Sequence, residues 1–312
     1  MAEKILSKSG EAVTRCAQSP YKNRMLPQPI LRMRRCLLKT LLVMCWLLAP
    51  AAAGAAVVEI RTAEKTVASA EFHQGDAAKP VILILHGFLQ TREFGIVKVI
   101  ADALIDKGYS VLSPTLSLGI SNRKRSLDCE ALHLHDMNGD LQEIQQWVQW
   151  LRSRGLGRII GVGHSFGATQ LLAWRERYQE RNVDLIGISL MGVSPLGREA
   201  APPPAGKHAA RNRPGANLVH APLSFCETYT APASMYASYK QWGADRILTA
   251  LKRTGPRADL IQGTADTFAP PNWEARLADT PASVHRIAGA NHFMEGTHEF
   301  DMLDTLLGIL KR

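Results

Sequence analysis

Five consecutive apolar residues, Val81 to Leu85, run straight into His86-Gly87-Phe88. Side chains of a strand alternate between two faces, so a run without a polar position needs apolar cover on both sides. That excludes a sheet with one wet face and calls for a central parallel strand between helical layers. "RIIGVGH" (158–164) and "DLIGISLMG" (184–192) repeat the pattern. Segments of helical spacing lie between such runs: Val97, Ile100, Ala101 and Leu104; then Leu141, Ile144, Val148 and Leu151, with Trp147 and Trp150 beside them; then residues 166–179. "VVEIRT" and "TVASAEFH" read as two opening strands, "YSVLSP" as another, and "RADLIQGTA" and "SVHRIAG" as two late ones. A final helix is expected from about Met294, with Phe300, Leu303, Leu307 and Leu310 on one face. Strand alternating with helix predicts an α/β fold with a mostly parallel sheet flanked by helices.

Two stretches interrupt that alternation. Residues 115–135 form an excursion after the fourth strand, "YSVLSP"; residues 195–245 form a longer insertion after the sixth, opening on the Pro/Ala-rich "EAAPPPAGKHAARNRPG". Both are expected as lids over the carboxyl edge of the sheet, where open α/β sheets bind ligands.

The 312 residues carry a formal net charge of +9, but its distribution matters more than its size. Residues 1–56 hold nine Lys/Arg and two Glu, which leaves only +2 for residues 57–312. A basic face for nucleic acid is therefore not expected. From Met33 the chain reads "MRRCLLKTLLVMCWLLAPAAAGAA": a basic start, an apolar run from Leu41 to Ala49, and small residues after Pro50. That order predicts a signal peptide over 33–56, cut after Ala53, Ala55 or Ala56. Leu41 to Ala49 is too short for the roughly 20 apolar residues of a membrane span, so no stable membrane insertion is expected after cleavage. Residues 1–32 show no apolar period and read as a non-structural extension, and 57–312 as the domain. Export, to the periplasm in a Gram-negative cell, is the expected location.

Ser165 sits in "GVGHSFGA", between Gly163 and Gly167, where a buried-type strand gives way to a helix. A strained strand-to-helix turn of that kind lifts a hydroxyl clear of the fold, and glycine allows strand and helix to pass closely. A serine hydroxyl becomes a useful nucleophile only when a base takes its proton and a third group holds the base. Asp266 follows "DLIQGTA" and His292 follows "SVHRIAG", each just beyond a later strand. The order Ser, Asp, His, with each residue after a strand, resembles the α/β-hydrolase superfamily over essentially all of 57–312. The resemblance implies Ser165 as nucleophile, His292 as general base and then acid, and Asp266 as the carboxylate that orients the imidazole. It further implies an oxyanion hole from the N–H groups of Phe88, in an HGF-type turn, and Phe166. His86 and Gly87 would support that turn, and His164 would shape the elbow. "HGFLQTREF" and the excursion "PTLSLGISNRKRSLDCEALH" resemble a little-characterised bacterial branch of the superfamily, which implies no particular acyl group.

His133, His135 and Asp136 invite a metal reading, but no third ligand strand accompanies them, and no metal or cofactor is expected. Of five cysteines, Cys16, Cys36 and Cys45 fall in the leader, leaving Cys129 and Cys226. In an oxidising compartment these two read as disulfide partners tying the excursion to the long insertion; the alternative is two buried thiols acting as small apolar groups. The expected activity is hydrolysis of a carboxylic ester or thioester of a small acyl substrate through an acyl-enzyme. A peptidase or amidase of the same fold, or a binding protein on a hydrolase scaffold, is the alternative. Oligomeric state is not legible in the sequence.

Overall fold

The computed structural model describes residues 54–193 and 218–312. The extension 1–32, the expected signal peptide 33–56 apart from its last three residues, and the Pro/Ala-rich opening of the long insertion lie outside these residues.

The main sheet has eight strands: β1 (Ala56–Arg61), β2 (Val67–His73), β3 (Val81–Leu85), β4 (Ser110–Thr115), β5 (Ile159–His164), β6 (Asp184–Ile188), β9 (Ala258–Gly263) and β10 (Ser283–Ile287). Their order is β1-β2-β4-β3-β5-β6-β9-β10. β2 pairs antiparallel with both β1 and β4, and every other pairing is parallel. Helices α1 (Gly95–Asp106), α2 (Met137–Arg152), α3 (Phe166–Tyr178), α5 (Ala244–Thr254), α6 (Trp273–Ala278) and α7 (His298–Leu310) accompany the sheet.

β3 shows why its sequence has no polar position. Ile82 and Ile84 pack with Ile100 and Leu104 of α1 and with Met302 and Leu306 of α7. Val81, Leu83 and Leu85 belong to the opposite layer, with Ile144 and Trp147 of α2 and Leu171 and Trp174 of α3. Burial of one such side chain contributes about 1.5–3 kcal/mol, so a polar residue at any of the five sites would weaken one layer or the other. α3 is a central helix, with every residue from Phe166 to Arg175 buried.

The long insertion contains elements that the sequence did not announce. Strands β7 (Leu218–Leu223) and β8 (Cys226–Pro232) form a separate antiparallel hairpin, followed by α4 (Ala233–Lys240). α5 belongs to the main body, packed on α3 through Ile247, Ala250 and Leu251. The last helix begins at His298, beyond the expected Met294. It buries Met302, Leu306 and Ile309, while Phe300 is 68% exposed. Two apolar stripes run side by side along this helix, and the one lying closest to the sheet is not the leucine-rich one.

β4 and β5 leave β3 on opposite sides, so the chain reverses direction at β3. Leu85 is paired with Gly163 at that point, so the segments after β3 and β5 emerge side by side. Open α/β sheets place their ligands at this reversal.

Candidate active site

Ser165 occupies the turn between β5 and α3 with φ 56° and ψ −126°. A left-handed φ at a non-glycine residue costs of order 1–3 kcal/mol and persists only when its surroundings enforce it. The neighbouring glycines explain how they do so. A Cβ on Gly163 would lie 2.4 Å from the Ala168 nitrogen, and one on Gly167 would lie 2.4 Å from the His86 carbonyl oxygen. Neither site admits a side chain while the helix and the two strands stay this close.

β9 and β10 bring up two further side chains. A Cβ on Gly263 would lie 2.3 Å from the Ala290 oxygen. The bare glycine lets the two loops join through the Ala265 N–H donating to the Ala290 carbonyl at 3.0 Å. Asp266 and His292 thereby meet: His292 Nδ1 lies 2.8 Å from Asp266 Oδ2, and His292 Nε2 lies 2.9 Å from Ser165 Oγ. Beside a carboxylate Nδ1 carries the proton, which leaves Nε2 to accept from the serine hydroxyl. The Phe268 N–H donates to Asp266 Oδ1 at 2.8 Å. The Asp266 and His292 side chains are 2% and 3% exposed, so water competes little with their bond. The Phe268 ring stacks on the imidazole at 4.7 Å between centroids.

The turn after β3 completes the arrangement. A Cβ on Gly87 would come within 3.4 Å of Ser165 Cβ, so the HGF turn lies against the elbow. Among the described residues neither the Phe88 nor the Phe166 N–H donates a hydrogen bond. The two rings pack edge-on at 5.5 Å. His86 is buried; its Nε2 accepts from the Leu116 N–H at 3.1 Å, so its Nδ1 proton is donated to the Gly87 carbonyl at 2.8 Å. Burial, reinforced by the positive charge of Arg123, pushes its imidazole down to about 3. His164 does more than shape the elbow: its Nε2 lies 3.1 Å from the His292 carbonyl oxygen and braces the loop that carries His292. Burial is also the main reason that its imidazole is pushed down to about 3.

Of the candidate metal cluster, His133 and His135 stay together, with His135 Nε2 3.4 Å from His133 Nδ1, while Asp136 is engaged elsewhere. Asp136 caps α2, accepting from the Gly139 N–H at 2.8 Å. The His133 ring stacks on Tyr229 at 4.2 Å. His135 Nδ1 lies 2.6 Å from the Tyr239 hydroxyl oxygen, and that hydroxyl donates to Asp140 Oδ2, also at 2.6 Å. Gln170 Nε2 donates to the same carboxyl at 2.8 Å, closing a buried polar network between α2, α3 and α4. Among the described residues no group of three His, Cys, Asp or Glu side chains could hold a metal ion. Cys129 and Cys226 are joined, with Cα atoms 5.3 Å apart. Sequence reasoning missed Gly263, Phe268 and the Asp140–Tyr239 network. A glycine ending the strand before the acid was the one signal available.

Fold and site geometry together are those of the α/β-hydrolase class. A model of the alpha/beta hydrolase family matches residues 82–301, and the chain belongs to that family. No curated protein matches the sequence. Among solved structures the chain is similar to the alpha/beta hydrolase GrgF from Penicillium sp. sh18, with TM-score 0.61 and 15% identity over 83% of this chain and 98% of that one. It is also similar to the esterase domain of a Rhodothermus marinus protein, with TM-score 0.54 and 15% identity over 82% and 97%. A dienelactone hydrolase from Anabaena variabilis gives TM-score 0.55 and 14% identity over 82% and 96%. Among the described residues no helix is long and apolar enough to cross a membrane.

Proposed function

We propose that this protein is an exported serine hydrolase that cleaves a carboxylic ester or thioester through an acyl-enzyme. The observation that carries this reading is one imidazole bridging the strained Ser165 hydroxyl at 2.9 Å and the buried Asp266 carboxylate at 2.8 Å. In the reaction Ser165 Oγ attacks the acyl carbon while its proton passes to His292 Nε2. The carbonyl oxygen becomes an oxyanion, received by the N–H groups of Phe88 and Phe166. Collapse breaks the bond to the leaving alcohol or thiol, which takes the proton from His292. Water then attacks the acyl-serine, giving a proton to His292; the bond from the acyl carbon to Ser165 Oγ breaks, the serine takes that proton back, and the carboxylic acid leaves. The disulfide supports export, because such bonds persist in oxidising compartments.

A fluorophosphonate probe and a chain-length series of p-nitrophenyl esters and thioesters test this reading. The wild type is expected to label and to turn over esters, and Ser165→Ala to do neither while keeping its melting temperature. A probe-silent wild type would indicate a binding protein on this scaffold. Labelling with amide but no ester or thioester cleavage would transfer the activity to the amidase class.

A further inference from the structure

Arg123, in the excursion after β4, was given no role by the sequence, yet it is only 5% exposed and meets no carboxylate at ion-pair distance among the described residues. Glu143 and Asp140 are the carboxyl groups whose field reaches it. Burial pushes its guanidinium down to about 10, which leaves it cationic at neutral pH. Its donors go to backbone. Nε donates to the Leu116 carbonyl at 2.8 Å, Nη1 to the Arg125 and Leu89 carbonyls at 2.9 and 3.3 Å, and Nη2 to the Gln90 carbonyl at 2.7 Å. Nη2 also lies 3.4 Å from His86 Nε2. One buried fork therefore joins the excursion after β4 to the turn after β3.

That turn contains the Gly87–Phe88 peptide. Its carbonyl accepts from His86 Nδ1 at 2.8 Å and from the Gln90 N–H at 3.2 Å. A trans peptide is planar, with its C=O and N–H pointing in opposite senses. Whatever fixes the Gly87 carbonyl therefore fixes the direction of the Phe88 N–H. Arg123 acts at both ends of that restraint. It holds the carbonyls of Leu89 and Gln90, and with the Leu116 N–H it keeps His86 Nε2 an acceptor, so the His86 proton stays on Nδ1. We propose that Arg123 is a positioning residue of the oxyanion hole, holding the Gly87–Phe88 peptide with its N–H aimed at the oxyanion beside Ser165. The proposal rests on the acyl-enzyme reading. It assigns to the excursion a part in catalysis beyond covering the site.

Loss of one oxyanion donor lowers turnover by about 10²–10³-fold with little effect on ground-state binding. The test compares Arg123→Lys and Arg123→Gln with wild type on the best p-nitrophenyl ester. It also measures affinity for a trifluoromethyl ketone, which forms an oxyanion on Ser165, and the melting temperature. The expected result is a kcat lower by about 10²-fold, KM within about threefold, and ketone affinity falling in step with kcat/KM. Arg123→Lys should recover little, because an ammonium cannot span four carbonyls as a planar fork does. Unchanged kcat, or a change confined to KM, would overturn the proposal; so would failure of both variants to fold, which would make Arg123 a folding residue first. A wild type that neither labels nor turns over would instead sink the acyl-enzyme reading.

Discussion

At the scale of residues, the site divides into groups that a sequence can show and groups that it cannot. Ser165, Asp266 and His292 each follow a strand, and strand ends are legible because apolar runs stop there. Phe268, His164 and Arg123 matter through what the fold lays beside them, and no spacing encodes that. Gly263 stood in view but had no partner until Ala290 came up against it. Asp266 gives the sharpest single-residue test. Asp266→Asn keeps the shape and can still accept the Phe268 N–H, but it removes the charge that holds the Nδ1 proton and steadies the imidazolium. Turnover is expected to fall on the order of 10³–10⁴-fold with little change in melting temperature. Near-normal turnover in Asp266→Asn would mean that another group orients His292.

At the scale of elements, the strands of the main sheet were legible because burial on both faces leaves no polar position. The β7–β8 hairpin was not, since its strands are half exposed and its turn, Ser224-Phe225, lacks the usual glycine or asparagine signal. The network on α2 was equally hidden, because Asp140 and Glu143 look like ordinary surface residues of an amphipathic helix until Gln170 of α3 and Tyr239 of α4 meet the first and Ser117 of the excursion meets the second. Their burial sets the pH dependence of stability. Burial pushes the Asp140 carboxyl up to about 8 from an ordinary 3.8, and Glu143 is shifted in the same direction. Between the unfolded and folded values the folded state holds more protons, so their contribution to stability falls as pH rises. His86, His135 and His164 behave oppositely: burial pushes each down to about 3 and shifts His133 in the same direction, so below about 6.5 the unfolded chain binds protons that the folded state refuses. Four histidines outweigh two carboxyls on the acid side, and above 6.5 the carboxyl effect stands alone. The melting temperature should therefore rise to a maximum near pH 6.5 and decline towards pH 8. Asp140→Asn should flatten the decline and steepen the acid limb, because the carboxyl no longer opposes the histidines there. Calorimetry across pH 4–9 decides it, and a wild-type curve still climbing from 6.5 to 8 would contradict the account.

At the scale of the whole molecule, the two lid segments are one structure. The Cys129–Cys226 bond joins residues 97 apart in sequence, and the His133 N–H donates to the Thr230 carbonyl at 2.9 Å close by. Phe225, next to the bonded cysteine, packs on Phe88 at 6.0 Å, so the bond also fixes an aromatic contact with the candidate oxyanion turn. The pairing was legible only because the expected leader takes the other three cysteines out of the count; the positions of Cys129 and Cys226 say nothing of a 5.3 Å Cα separation. Leader and bond make a joint prediction. Produced with its leader in a Gram-negative host, the protein should be recovered from the periplasm with a new N-terminus between residues 54 and 57. Its unreduced mass should be two hydrogens below its reduced mass. Cross-linking a loop of this length stabilises by at most about 4–5 kcal/mol in the chain-entropy model, and by less in most measured cases. Cys129→Ala with Cys226→Ala should therefore lower the denaturant midpoint clearly while leaving the main sheet folded. Because Phe225 then loses its tether to the excursion, kcat should fall as well, by less than in Arg123→Lys. Two titratable thiols in the unreduced, denatured periplasmic protein would refute the bond, and a full-length chain in the cytoplasm would refute export.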